Sequence, residues 1–362
     1  MNMNEINIDD KRTNHDFNGI SFSKFKKTAV KIELLNSINN NKIEHACNWC
    51  AELICAAHFS DIWEIILFCI GKHIHIGNPK LPIYINLRFQ AFKEIIQSGY
   101  VGNELLLRNN PKIRTLFAEL ISILCISNKK PAFETIKINP DEFNITTLSP
   151  KLKAPHVNYA SHIFRQNDPS EIYICINELA FQLSGKDKNI LKACYWIEWL
   201  IEFDNTCRKN KQPIVCEMRT FPPIQDKFQN DVIWIVWELL LFSIKENPIA
   251  DKIMKSLLEL FSLKYSYTVK KRRRYLLYFA VELITENIPT NIEILDSNET
   301  SVVDNVVKKI NLVYKNIKKN EEKSHSDYLL ANLPAETRTN AEKTIEKLGK
   351  INSLSGTIIP RI

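Results

Sequence analysis

Residues 189–203 read NILKACYWIEWLIEF, and the spacing within them decides the fold class. Ile190, Ala193, Cys194, Ile197, Leu200 and Ile201 recur at three- and four-residue intervals, which makes one apolar face of an α-helix. Trp196, Trp199 and Phe203 occupy much of the opposite side. A helix apolar on both sides is either sandwiched in a core or offers an aromatic patch to a partner. Burial is the preferred reading, because large aromatics are usually core, and Trp196, Trp199 and Phe203 stand as the candidate partner surface should they be exposed.

The same period runs outward in both directions, with end signals that agree with it. Upstream, Asp168-Pro169-Ser170-Glu171 opens a helix with Asp168 as cap, and Ser184-Gly185 closes it. Pro82 and Gly99 bracket residues 83–98, and Asn110-Pro111 opens residues 112–126. Phe22, Phe25, Ala29 and Ile32 give a first amphipathic stripe, residues 42–58 a second helix, and Ser60 caps a third over 61–70 that Gly71 breaks. Downstream of the helix that runs on to about residue 209, helices are expected over about 226–245, 248–263 and 268–286. Only 8 of 362 residues are glycine, where average usage of about 7% would give roughly 25. The expectation is all-α: a multi-helix bundle or an irregular α-solenoid with a polar helical C-terminal tail.

Pro131, Pro140, Pro150 and Pro155 interrupt residues 129–167, where no helical period survives. That segment divides a helical part at 21–128 from another at 168–290. Residues 1–20 are polar, carry no signal-peptide hydrophobic region and are expected to lack fixed structure. In 291–362, Val303, Val306, Ile310, Val313 and Ile317 form a two-heptad seam, and a polar linker leads to a short helix carrying Ala341, Ile345 and Leu348. These read as tethered interaction elements, with Ile345 and Leu348 as further candidate partner surface. The longest apolar stretch, 232–244, is too short to cross a bilayer. Nine irregularly spaced cysteines, mostly within apolar helices, suit buried thiols and an intracellular, reducing compartment.

The sequence lacks the common catalytic signatures. The eight glycines make neither GxGxxG nor GxxxxGK[ST], and GxSxG, HExxH and kinase motifs are missing. No cofactor, metal or enzymatic activity is expected. Cys47, Cys50, Cys55 and His58 superficially resemble a zinc knuckle, but on one helix Cys47 and His58 would lie about 16 Å apart, so core packing is preferred. His73 and His75 lack a third ligand. Glu198 and Glu202, four apart, and Asp231 and Glu238 lack the Glu-x-x-His partners of a di-metal bundle and read as a polar stripe.

Net charge is +7, and residues 245–282 hold most of it, with nine Lys/Arg against four acids. Lys270-Lys271-Arg272-Arg273-Arg274 cannot all share one helix face, so some must reach solvent or meet anions. Together with Lys264, these residues are the candidate contact for phosphates or an acidic partner; a solvated helix end is the equally weighted alternative.

The Asn, Ile and Lys bias joins the segments Trp49-Cys50-Ala51-Glu52-Leu53-Ile54-Cys55, Gly77-Asn78-Pro79-Lys80-Leu81-Pro82 and Lys271-Arg272-Arg273-Arg274-Tyr275. On these features residues 20–350 resemble an uncharacterised protein family of large DNA viruses of protists. The resemblance carries no site residues. It implies a setting: host cytoplasm, viral factory or virion. Two functions are therefore expected to compete. One is a structural or scaffolding protein with protein partners, such as a minor capsid component. The other is a nucleic-acid-associated accessory factor of replication, transcription or packaging.

Overall fold

In the computed structural model, which describes residues 6–185, 188–244, 247–289 and 292–323, helices follow one another along the described residues. They are α1 (Lys27–Asn39), α2 (Ile43–Cys55), α3 (Phe59–Phe68), α4 (Leu81–Gln97), α5 (Pro111–Ile126), the single turn α6 (Ile145–Leu148), α7 (Tyr173–Leu183), α8 (Ile190–Lys209), α9 (Ile233–Ser243), α10 (Pro248–Ser262), the short α11 (Val269–Arg272), α12 (Arg274–Thr285) and α13 (Ser297–Lys318). Among the described residues there is no strand, only an isolated bridge between Ile20 and Lys26.

Local chemistry sets many of the ends. Asn110, Asn189 and Asn247 accept from first-turn amides of α5, α8 and α10, and Asp296 with Glu299 forms a reciprocal capping box on α13. Gly99 and Gly185 follow α4 and α7 with φ of 120° and 75°. Other ends differ from expectation. Asp168 does not cap α7; its carboxylate serves Arg219 and the amides of Arg165 and Glu217. Gly71 does not stop the chain, which continues as a π-helical turn, Cys69–Ile74, where the missing side chain lets Tyr275 approach. Ser60 lies inside α3 rather than before it.

Helices far apart in sequence pack together, as in a bundle and unlike a solenoid, whose repeats touch only neighbours. One layer joins α1, α2, α5 and α13; another joins α7, α8, α9, α10 and α12. The α4–α10 contact and the seating of the π-turn against α12 tie them together. A continuous apolar cluster runs through both. The first amphipathic stripe is displaced: α1 buries Val30, Leu34 and Ile38, while Phe25 and Ile32 stay 49% and 58% exposed. Residues 6–20 are fixed rather than unstructured, since Ile6, Ile8 and Phe17 are buried and Ile8 exchanges two backbone hydrogen bonds with the Asn109 side chain. The α13 seam lies on its own body, with Val303, Ile310 and Ile317 buried against α2 and α5.

Candidate functional site

The basic run is where the chain resolves its excess charge. α10 ends at Ser262, Lys264 turns back with φ 43°, and α11 breaks from α12 at Arg273, so one expected helix over 268–286 becomes two. The break sends successive cations in different directions. The fully buried Lys270 ammonium lies 2.5 Å from Asp204 and 2.8 Å from Asp231. Arg273 donates to the Phe261 and Leu263 carbonyls at the end of α10, at 2.8 and 2.6 Å, and to Glu64 at 2.5 Å. Arg274 meets Glu198 at 2.9 Å, and the exposed Lys271 meets Glu202 at 3.1 Å. Arg272 is exposed and has no ion-pair or hydrogen-bond partner among the described residues.

Three residues expected to contact phosphates are thus excluded by burial and pairing: Lys270, Arg273 and Arg274. Lys264, Lys271 and Arg272 reach solvent. Glu198 and Glu202 find their role at the same time, because with Asp204 they align along α8 to take Arg274, Lys271 and Lys270. Burial pushes the Glu198 carboxyl up, partly countered by Arg274 and by the Tyr278 hydroxyl, which donates at 2.7 Å.

The aromatic side of α8 is core. Trp196 and Trp199 are buried, and the Trp199 indole donates to the Glu142 carbonyl at 3.0 Å. Phe203 is half-buried between Trp199 and Phe143, with ring centroids 4.8 and 5.2 Å away. Residues 140–143 of the proline-containing segment cover this face, so Trp196 and Trp199 offer no partner surface. Ile345 and Leu348 lie outside the described residues.

The Cys/His set also disperses. α2 stops at Cys55, and Ala57 with φ 58° turns His58 off the helix, where its Nε2 lies 2.7 Å from the Ile20 carbonyl. Burial holds His58 below its ordinary pKa and pushes the Cys47 thiol up to about 11. His75 is buried with Nδ1 2.9 Å from Glu282, whereas His73 lies near Asn39. Among the described residues no group of three or more His, Cys, Asp or Glu side chains is arranged to hold a metal.

Two hollows flank the run. The first, about 480 Å³, lies between α1, α3 and α12; Ile32, Leu35, Ile65 and Phe68 form its apolar surface, and Lys31, Lys271, Arg272 and Arg274 also line it. The second, about 430 Å³, lies where α3 begins, with Trp63, Phe89 and Phe92 on its wall beside His58, Lys93, Lys264 and Arg273. Glu64 lines both. Sequence reasoning missed the hollows because each joins α3 to the basic run, more than 200 residues away; the legible trace was Ile32, an apolar residue that the buried face of α1 leaves out. No family model, curated protein or solved structure matches the chain.

Proposed function

We propose that the chain is a non-enzymatic scaffolding protein whose α1–α3–α12 groove receives an acidic, apolar segment of a protein partner. The observation that carries this reading is Arg272, exposed and without a side-chain partner among the described residues, on a groove whose apolar side includes Ile32 at 58% exposure. Charge complementarity selects an occupant bearing carboxylates, and the apolar wall selects one that also carries large apolar side chains. The viral resemblance makes a virion or minor capsid assembly the proposed setting.

Nucleic-acid binding is the weaker alternative. With Lys270, Arg273 and Arg274 held internally, the run presents two exposed cations, which at about 0.9 per phosphate contact would give a shallow salt dependence. The test is fluorescence anisotropy of the full chain with a peptide alternating Asp/Glu with Leu/Phe. Saturable binding that falls on the order of tenfold in both Arg272→Glu and Ile32→Asp is expected. No saturable binding, binding indifferent to both substitutions, or displacement of the peptide by an oligonucleotide would each overturn the proposal.

A further inference from the structure

The second hollow is built differently from the groove and calls for a different ligand. Its polar edge begins with the backbone. Ala57, in the left-handed region at φ 58°, reverses the chain so that α3 starts at Phe59 with no side chain capping it. The Phe59 and Ser60 amides, without acceptors among the described residues, therefore lie at the same helix end as Lys264, whose Nζ donates to Ser60 Oγ at 3.2 Å. Lys264 is itself at φ 43°, a conformation costly for any residue but glycine.

The apolar wall is aromatic: Trp63 meets Phe89 edge-on at 4.8 Å between ring centroids and Phe92 at 5.5 Å. Two residues beside the wall carry donors without partners, both closed to solvent. Trp63 and Arg273 are each 5% exposed, and neither Trp63 Nε1 nor Arg273 Nε has a partner among the described residues. Of the two carboxylates in the lining, Glu64 is taken by Arg273 and Glu104 receives the Gly102 amide at 3.3 Å. Lys264 and Lys93 have no carboxylate partner among the described residues. The volume of about 430 Å³ lies in the range of small-molecule sites.

We infer that this hollow binds a small amphipathic anion, with an apolar body against Trp63, Phe89 and Phe92 and a single carboxylate or phosphate head at Lys264 and the start of α3. The site shares no proposed contact with the peptide groove, so either assignment can fail alone. The experiment is calorimetric titration of the full chain with decanoate, decyl phosphate and, as a neutral control, decanol, each below its micelle threshold. Saturable one-to-one binding of at least one anion, tighter than decanol, is expected, and the tighter anion identifies the head group. Lys264→Gly removes the charge while suiting the positive φ, so its melting temperature should not fall, yet its anion affinity should drop about tenfold. Equal binding of decanol, no saturable anion binding, or unchanged affinity in Lys264→Gly would overturn the inference.

Discussion

Lys270 shows how far residue type alone can mislead. In the sequence it is the first of five consecutive cations and reads as surface; in the fold it is fully buried, between Asp204 and Asp231, which are also fully buried. The cues that would have placed it, carboxylates at 204 and 231, lie 66 and 39 residues away, and no local pattern couples them to it. Its neighbour Lys271 has a 55% exposed side chain and pairs with Glu202 at the surface. The two therefore separate sharply on truncation. Lys270→Ala removes the buried cation between two buried carboxylates, leaving Arg208 beside them, and should cost about 3–5 kcal/mol, whereas Lys271→Ala should cost under about 1 kcal/mol. Urea denaturation of both variants measures the difference, and similar losses would contradict the burial of Lys270.

Whole elements were more legible than single residues, because a helix announces itself over many positions. Asn110, Gly99 and Gly185 act where the sequence places them, since caps depend on backbone geometry within a few residues. The failures share one cause, tertiary demand on a locally plausible signal. Asp168 looks like a cap and is drawn instead to the fully buried Arg219; burial alone would raise its pKa, but Arg219 and two amides hold it below the usual carboxylate range. Glycines show the same split. Gly77 lies between α3 and α4, where a Cβ would press on the Asn128 carbonyl and lie 2.9 Å from the Lys130 amide. Because those are backbone atoms, Gly77→Ala should destabilise by roughly 1–3 kcal/mol, while Gly102→Ala meets no neighbouring atom and should lose only what its φ of 78° imposes. A comparison of the two by thermal denaturation tests whether close packing or backbone conformation governs each glycine.

At the scale of the molecule, the proline-containing segment that reads as a boundary is laid across both layers. The Lys130 and Ala132 amides bond the Ile74 and Lys72 carbonyls, Phe133 stacks on Tyr278 at 4.9 Å, and Glu178 receives the Lys153 and Ala154 amides. A shared apolar cluster with such cross-ties should unfold in one cooperative calorimetric transition. Two resolved transitions would show that residues 21–128 and 168–290 melt separately. Local periodicity revealed the helices; the groove and the hollow stayed hidden because both arise from the order of packing, which the pattern within each helix does not encode.

The two ends of the described chain are clasped. The Lys11 amide bonds the Glu322 carbonyl at 2.9 Å, the Glu322 amide returns to Asp10 at 2.9 Å, and Arg12 reaches the Asn320 carbonyl at 3.2 Å. During synthesis, residues 6–22 leave the ribosome before the end of α13 and must wait for it before they can lock. Until then α2 and α5 keep an uncovered apolar face, so the nascent chain needs chaperone protection until α13 has emerged.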